Sequence, residues 1–268
     1  MSRIDHNMHW MQNKNLDGSE FSIENKSNTC VILIHGFTAT TIEVRPLSEY
    51  LASKGYSIYA PLLPGHDTTP SDLNKRNWSE WTNKVEELTI DALRNYKNVF
   101  LGGESMGGII SCYVASFHPE ISGLLLYSPA IQVKKLGFMR IMKLFTKYIS
   151  KPSLKLNDED TDDVLPWKGY KVNPTSAAVQ LLRLQEITKL RLHLIRQPTI
   201  IFQGNLDRTI DPNGAEYLIG KINSSVKKLI WLEKSGHCVL LDQEYFGVFA
   251  ETDIFIKQVL SNDFSYRE

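Results

Sequence analysis

A serine flanked by glycines stands out in the segment GGESMGG, residues 102–108. Gly103, Ser105 and Gly107 form a G-x-S-x-G pattern, which the strand-like run NVFLGG precedes and the helix-like run MGGIISCYVASFHP follows. In a sharp strand-to-helix turn, small residues on either side of the serine let the two elements approach closely and lift the hydroxyl out of the sheet. Ser105 is therefore the candidate nucleophile. An ordinary glycine-rich turn is the alternative, and the strand–turn–helix context argues against it.

A serine hydroxyl is a weak nucleophile unless a base takes its proton and a third group orients that base. His237, in SGHCVLLD just after the last strand-like run KKLIWLEK, is the candidate base. Two carboxylates follow the strand-like run PTIIFQG. Asp207 comes directly after that strand and is the favoured acid, whereas Asp211 precedes Pro212 and has the position of a helix N-cap. The resulting chain order, Ser then Asp then His, suits a nucleophile placed on such a turn.

Acyl transfer also requires hydrogen-bond donors for the negative charge that develops on the carbonyl oxygen. We expect one donor to be the backbone N–H of Met106, which follows the nucleophile. The other is expected in the loop HGFTAT after the first buried strand-like run TCVILIHG, which indicates the backbone N–H of Phe37. Gly36 has no side chain, so the backbone of this loop can approach a substrate closely.

Strand-like and helix-like patterns alternate along residues 29–130 and again from residue 198. Runs of Val, Ile and Leu that end at glycine are typical of buried parallel strands, and amphipathic runs such as WSEWTNKVEELTIDALRNY are typical of helices. This alternation predicts an α/β fold with a mostly parallel sheet and helices on both faces. It breaks over residues 131–196, where no strand is evident. We interpret that stretch as a cap inserted into one α/β domain that spans residues 1–268.

The run KKLGFMRIMKLFTKYISK, residues 134–151, is the most informative part of this cap. Its spacing predicts an amphipathic helix. The apolar face of that helix comprises Phe138, Ile141, Met142, Phe145, Tyr148 and Ile149. In one interpretation the helix is a lid packed over an acyl-binding cleft, with the first four of these residues as candidates for contact with substrate. In the other, the helix also docks on lipid surfaces through its apolar face and its lysines.

These segments resemble the α/β-hydrolase superfamily, and more closely the bacterial carboxylesterases and monoacylglycerol lipases. The resemblance lies within residues 29–130 and 170–260, in LIHGFTAT, RPLSEYLASKGY, PLLPGH, WSEW, GESMGG, DRTIDP and SGH. It implies the α/β-hydrolase fold, an oxyanion hole formed by Phe37 and Met106, and ester hydrolysis through an acyl-enzyme on Ser105. The chain departs from many relatives in LPGHDTTP, where they carry a second glycine after the histidine.

We therefore expect a serine hydrolase that acts on carboxylic esters with short or medium acyl chains, with monoacylglycerols among the candidate substrates. Thioesterase, amidase and C–C hydrolase activities are alternatives on the same fold, and so is a ligand-binding protein that retains the triad. The proposed chemistry implies no metal and no organic cofactor.

Composition bears on the partners and the compartment. With 30 basic and 30 acidic residues the formal net charge is zero, which argues against a nucleic-acid partner. No run of 18 apolar residues occurs, so a membrane-spanning helix is not expected. The N-terminus lacks the apolar core of a signal peptide. The three cysteines, Cys30, Cys112 and Cys238, are widely spaced and suit a reduced, cytoplasmic protein.

Overall fold

The computed structural model describes residues 10–133, 136–151 and 164–264. Within these ranges the strands, in chain order, are β1 (Met11–Gln12), β2 (Phe21–Ile23), β3 (Thr29–Ile34), β4 (Ser57–Ala60), β5 (Asn98–Glu104), β6 (Gly123–Tyr127), β7 (Tyr148–Ser150), β8 (Gly169–Tyr170), β9 (Val172–Pro174), β10 (Thr199–Gly204) and β11 (Lys227–Leu232). The α-helices of the same ranges are α1 (Arg45–Ser53), α2 (Pro70–Leu73), α3 (Trp78–Asn95), α4 (Met106–Ala115), α5 (Met139–Met142), α6 (Thr175–Lys189), α7 (Asn213–Lys221) and α8 (Tyr245–Ser261). Single 3-10 turns cover Thr41–Glu43, Leu136–Phe138 and Leu192–Leu194.

The central sheet has seven strands in the order β11-β10-β6-β5-β3-β4-β2. Six of them are parallel, and β2 pairs antiparallel with β4 at one edge. Strand β3, with the sequence TCVILI, is buried along its whole length. Continuous apolar runs of this kind form strands that are covered on both faces, as parallel strands usually are. The predicted α/β-hydrolase fold, with a mostly parallel sheet and helices on both faces, is confirmed.

Two hydrophobic cores lie on opposite faces of the sheet because successive side chains of a strand point in opposite directions. Ile32 of β3 belongs to the core that α3, α4, α6 and α7 cover. Leu33, the next residue, belongs to the core that α1 and α8 cover. The carboxyl ends of the parallel strands thus emerge together at one edge of a rigid layered structure, where ligand sites of such sheets form.

The cap segment between β6 and β10 differs from its sequence-based description in two ways. The continuous helix predicted over residues 134–151 is wrong, because α5 ends at Met142 and Tyr148–Ser150 is a strand that pairs antiparallel with Val172–Pro174. Tyr and Ile favour strands, and this pairing overrides the helical spacing. The cap also contains the short strands β8 and β9, which the sequence did not indicate. Lys134 and Lys135 of the predicted helix lie outside the described residues, and so does the segment 152–163, which includes the acidic sequence NDEDTDD.

The segment at the start of the described chain is joined to the cap. Strand β1 pairs antiparallel with β8, and Trp10 O accepts a hydrogen bond from Lys171 N–H. Asn13 Nδ2 donates to Trp167 O at 2.6 Å, and Leu16 O accepts from Lys168 Nζ at 2.8 Å. These contacts hold residues 167–171 against the segment that begins the described chain.

None of the helices in the described ranges is long and apolar enough to cross a bilayer. The thiols of Cys30 and Cys112 are buried in the core. Burial raises the pKa of both thiols to about 12, which keeps them protonated.

Candidate active site

Ser105 lies at the turn that joins β5 to α4, at the carboxyl edge of the sheet. Its backbone angles are φ 54° and ψ −110°, a conformation that side-chain-bearing residues rarely adopt. Two backbone hydrogen bonds hold this turn: Ser105 N–H donates to Tyr127 O at 2.8 Å, and Ser105 O accepts from Ala130 N–H at 3.0 Å. Strain of this kind persists only where the surrounding structure enforces it, and it is concentrated at functional sites.

The glycines of the G-x-S-x-G pattern are needed because β3 passes directly behind the turn. A Cβ atom on Gly103 would lie 2.4 Å from Ile34 O, and one on Gly107 would lie 2.1 Å from the same oxygen. Both distances are far below van der Waals contact, so any larger residue would push α4 away from β3. The sequence pattern therefore has a steric cause in this fold.

His237 and Asp207 converge on Ser105 from two different loops. Nε2 of His237 lies 2.9 Å from Ser105 Oγ, and Nδ1 lies 2.7 Å from Asp207 Oδ2. Asp207 follows β10, and His237 follows β11, within a segment that we call the β11 loop (residues 233–242). The structure thus brings the three residues predicted for nucleophile, base and acid into one hydrogen-bonded chain.

Asp207 is buried and well supplied with donors. Its Oδ1 accepts from the backbone N–H groups of Thr209 (2.8 Å) and Ile210 (3.0 Å), and Gln203 Nε2 lies 3.2 Å from Oδ2. Burial acts to raise the pKa of Asp207. The charge and the hydrogen bond of His237, with the hydrogen bonds from Ile210 and Thr209 N–H, outweigh burial and lower the pKa below its usual value. Asp207 is therefore ionised and can orient the imidazole. Asp211 instead accepts from Asn213 N–H at the start of α7, as expected of a helix-capping residue.

Acidic side chains that the sequence interpretation missed hold the β11 loop in place. Glu104, the residue before the serine, accepts a hydrogen bond from Val239 N–H at 2.8 Å. Asp242 accepts from Gly236 N–H at 2.5 Å, so both flanks of His237 are fixed. The available signal was an acidic residue at the first variable position of G-x-S-x-G, at the end of an otherwise apolar strand.

The backbone after β3 passes close to Ser105. A Cβ atom on Gly36 would lie 3.3 Å from Ser105 Cβ, so the backbone just before Phe37 lies against the Ser105 side chain. Met106 is the first residue of α4, where helix geometry provides no intrahelical acceptor for the N–H. The roles of Phe37 and Met106 as oxyanion donors stay predictions. We call residues 35–40 the β3 loop.

A buried histidine secures the base of the β3 loop. His35 Nε2 accepts a hydrogen bond from Leu63 N–H at 3.1 Å, so the proton is on Nδ1, which donates to Gly36 O at 2.9 Å. Burial lowers the pKa of His35 to about 4, which keeps the ring neutral at ordinary pH. His66 packs edge-on against it at a centroid distance of 4.8 Å. Both histidines therefore have structural contacts.

A group of polar side chains links the β3 loop to the cap. Glu43 is buried beneath the loop and accepts hydrogen bonds from Gly36 N–H (2.5 Å) and from Trp167 Nε1–H (3.1 Å). Lys151 Nζ donates to Thr38 Oγ1 at 2.6 Å and lies 4.5 Å from the centroid of the Trp167 ring. Burial lowers the pKa of Lys151 to about 8. The sequence interpretation missed this group, because its members are far apart in the chain.

The departure in LPGHDTTP has a structural explanation. Asp67 occupies the position after His66, with φ 50°, a left-handed conformation that favours glycine and tolerates aspartate. Its carboxylate lies 2.7 Å from Lys168 Nζ, and the Lys168 side chain is almost fully buried. Where many relatives use glycine for backbone freedom, this chain gains an ion pair that ties the loop after β4 to the cap.

The cap residues predicted to contact substrate do not form a buried face. Phe138, Ile141 and Phe145 are 53%, 54% and 79% exposed, while Met142 is partly buried. The continuous helix that was to align them ends at Met142, so they do not form the predicted single apolar face. Their contact with substrate stays a prediction. Among the described residues, no cluster of His, Cys, Asp or Glu could hold a metal ion.

The geometry can be compared with known proteins. A family model described as serine aminopeptidase, S33 matches residues 25–244. The chain belongs to this family. It is 30% identical over 230 residues to a thermostable monoacylglycerol lipase from Bacillus sp. (strain H-257), covering 85% of this chain and 90% of that protein. It is 26% identical over 237 residues to a carboxylesterase from Bacillus subtilis (strain 168), covering 85% and 92%.

Solved structures agree on the architecture of this S33 family member. One described as LipS and LipT, two metagenome-derived lipolytic enzymes, superimposes with a TM-score of 0.83 at 24% identity and covers 90% of this chain and 98% of that one. A soluble variant of monoglyceride lipase from Saccharomyces cerevisiae gives a TM-score of 0.72 at 20% identity, with 90% of each chain covered. The protein is a serine hydrolase with the α/β-hydrolase fold.

Proposed function

We propose that this protein hydrolyses carboxylic esters through an acyl-enzyme on Ser105, with His237 as general base and Asp207 as the acid that orients it. The observation that supports this most is the continuous chain from Ser105 Oγ to His237 Nε2 (2.9 Å) and from His237 Nδ1 to Asp207 Oδ2 (2.7 Å). A nucleophile within hydrogen-bond reach of a base that a carboxylate orients is the arrangement that acyl transfer requires.

The ionised Asp207 accepts a hydrogen bond from Nδ1–H of His237, which keeps the proton on Nδ1 and leaves Nε2 as the acceptor for the Ser105 proton. Ser105 Oγ attacks the ester carbonyl carbon, and the N–H groups of Phe37 and Met106 stabilise the negative charge on the oxygen. Collapse of the tetrahedral intermediate breaks the bond to the alcohol, which leaves with the proton from His237. Water then attacks the acyl-enzyme with the same base, and the acid and free Ser105 are released.

Esters of glycerol are the substrates that we propose first. The relatives named above are a monoacylglycerol lipase and a carboxylesterase, and the alignment with each spans most of both proteins. We also propose that residues 131–196 act as a cap over the site, and that the protein works in the cytoplasm, which its buried thiols at Cys30 and Cys112 support.

We further propose that the exposed apolar group of the cap touches lipid surfaces during catalysis. Phe138, Ile141, Leu144 and Phe145 are all more than half exposed, within eight residues of one another. Lys143 and Lys147 lie among them and are also exposed. Apolar side chains next to cations suit binding at an anionic lipid interface.

The test of activity is a panel of p-nitrophenyl esters, p-nitroanilides and monoacylglycerols, together with stoichiometric labelling by a fluorophosphonate. We expect ester turnover, labelling confined to Ser105, and no labelling of S105A. The anilides address the aminopeptidase description of the family. Turnover of anilides but not esters would replace the proposal with amide hydrolysis, and slow or absent labelling would favour a binding protein.

The lipid contact is tested with F145S and with F246S as a matched control. Phe246 is an aromatic residue of α8 that is 66% exposed and lies outside the cap. Wild type and F246S should co-sediment with vesicles that contain phosphatidylglycerol, whereas F145S should remain in the supernatant. Hydrolysis of soluble acetate esters should be equal in all three proteins. Equal sedimentation of F145S and wild type would contradict the lipid contact.

A further inference from the structure

Glu43 is a buried carboxylate that occupies the space between the β3 loop and the cap. Its Oε2 accepts from Gly36 N–H at 2.5 Å, and its Oε1 accepts from Trp167 Nε1–H at 3.1 Å. The first donor is one residue before Phe37, the proposed oxyanion donor. Because Glu43 lies in the 3-10 turn before α1, a rigid element fixes its position.

We propose that Glu43 is a positioning residue for the oxyanion hole. Its carboxylate fixes Gly36 N–H, in the peptide just before the one that carries Phe37 N–H, and so helps to direct Phe37 N–H at the substrate carbonyl oxygen. It also makes that orientation depend on Trp167 of the cap. This inference rests on the proposed function. The inference extends the proposed function, because it assigns a specific orienting role to a side chain outside the triad and the two oxyanion donors.

The β3 loop needs such support because part of its backbone is strained. Thr38 has φ 64°, a left-handed conformation that is unfavourable for a β-branched residue. The cap contacts it twice: Tyr170 N–H donates to Thr38 O at 2.8 Å, and Lys151 Nζ donates to Thr38 Oγ1 at 2.6 Å. Thus Glu43 holds the loop before Phe37 and the cap holds it after Phe37.

The charge of Glu43 also acts on the base. Its carboxylate interacts electrostatically with His237 and Lys151, and Cys238 Sγ lies 3.8 Å from Oε1. Burial raises the pKa of Glu43 above its usual value, and the N–H donors of Gly36 and Trp167, together with His237 and Lys151, offset part of that rise. Both oxygens accept from N–H groups, which suits the ionised form. A negative charge here favours the protonated form of His237.

The substitution Glu43→Gln separates geometry from charge, because an amide has one acceptor end and one donor end. In E43Q either Gly36 N–H or Trp167 Nε1–H must face the amide NH₂ group, so one donor is unmatched. Trp167→Phe removes the indole N–H. In the double variant E43Q/W167F the amide oxygen can therefore accept from Gly36 N–H while its NH₂ group faces the phenyl ring.

We expect E43Q to lower kcat by about 10- to 100-fold with little change in KM, since a misdirected oxyanion donor costs transition-state stabilisation only. The affinity for phenylboronic acid, which forms a tetrahedral adduct with a reactive serine, should fall by a similar factor. W167F should lose only a few-fold, and E43Q/W167F should regain most of the loss in E43Q. The acid limb of kcat/KM should move to lower pH in both variants that lack the Glu43 charge, and stay in place in W167F.

Asp253→Asn is the matched control, because Asp253 is a buried carboxylate of α8 that bonds Tyr56 Oη (2.9 Å) and Lys257 Nζ (2.7 Å) away from the site. It should change thermal stability without changing kcat or boronate affinity. Suppose that the wild type is active. If folded E43Q then has an unchanged kcat and boronate affinity, or if the double variant is no better than E43Q, the proposed role of Glu43 is overturned and the proposed function is not. A wild type that neither turns over esters nor reacts with a fluorophosphonate would overturn the proposed function and this inference with it.

Discussion

Glu104 Oε1 accepts a hydrogen bond from Val239 N–H at 2.8 Å, so the residue before the proposed nucleophile holds the loop that carries the proposed base. Glu104 ends β5, and Val239 is the second residue after His237. The distance between Ser105 and His237 is thereby set by a contact one residue from the serine. Any change at Glu104 should consequently appear in the rate of the chemical step.

We expect Glu104→Ala to lower kcat by about 10-fold or more, because Val239 N–H keeps only the local acceptor His237 O (3.0 Å). The contact that ties this loop to β5 is lost, and His237 loses its register with Ser105. Glu104→Gln keeps an acceptor oxygen and should lose less. Steady-state kinetics on a p-nitrophenyl ester check this, with thermal unfolding run in parallel. A kcat for E104A equal to that of wild type would contradict the positioning role.

Substitutions in the triad should have graded effects. Ser105→Ala should lower kcat by about 10⁶-fold and Asp207→Asn by about 10⁴-fold, as in other serine hydrolases. Asp211→Asn should be nearly neutral, since Asp211 caps the start of α7. Active-site titration followed by kinetics provides the measurement. If D211N proved more damaging than D207N, the assignment of the acid would be wrong.

The strained backbone of Ser105 predicts an inverted order of stabilities. At an ordinary position glycine is less stable than alanine by about 1 kcal/mol, because it has more freedom to lose on folding. At Ser105, with φ 54° and ψ −110°, glycine relieves strain of about 1–3 kcal/mol. We therefore expect S105G to unfold at higher urea concentration than S105A. The reverse order would show that the turn stores little strain.

Stability should depend on pH through Asp207, whose pKa is lower in the folded chain than its usual value. A lowered pKa means that the folded state favours the carboxylate, so the stabilisation is complete above the unfolded pKa and is lost as pH falls through the folded pKa. The excess unfolding free energy of wild type over D207N should therefore be present at about pH 5 and shrink below about pH 4. Urea titrations of both proteins across that interval measure it, and a constant difference would contradict the ionised assignment.

The pair between Asp67 and Lys168 should contribute to stability through the burial of the lysine. Asp67→Ala leaves a nearly buried ammonium without its carboxylate and should cost about 2–4 kcal/mol of unfolding free energy. Asp67→Asn keeps a side chain that tolerates the left-handed backbone and can still accept a hydrogen bond, so its cost should be smaller. Chemical denaturation compares the two, and equal losses would show that only the charge matters.

The sequence predicted most reliably those elements whose residue pattern is required by contacts within the element or with the adjacent strand. Strand β3 and the turn at Ser105 are marked by an apolar run and by glycines that the steric contact with Ile34 O requires. The order of the three triad candidates follows from the order of the strands that carry them, so their meeting point could be anticipated.

The rest depends on partners that are distant in sequence. Glu43 and Trp167 are 124 residues apart, and nothing near either one indicates the other. The cap was misjudged for a related reason: Tyr148 and Ile149 continue a helical spacing, but they pair with Val172–Pro174, whose position no local signal reveals. From sequence alone, a glutamate such as Glu104 is expected at the surface, because the loop that it binds is not known.

The pairing of β1 with β8 connects the amino-terminal segment to the part of the cap that contacts Glu43. Asn13 bonds the carbonyl oxygen of Trp167, and Leu16 bonds Lys168, so this segment braces the stretch of cap that donates to Glu43. Removal of residues 1–16 would remove these contacts and leave every strand of the central sheet intact. We expect protein shortened in that way to keep the contacts among Ser105, His237 and Asp207 but to lose this support for Trp167 and Glu43. If Glu43 positions the oxyanion donor as proposed, the point at which this chain is cut or fused should therefore change its catalysis.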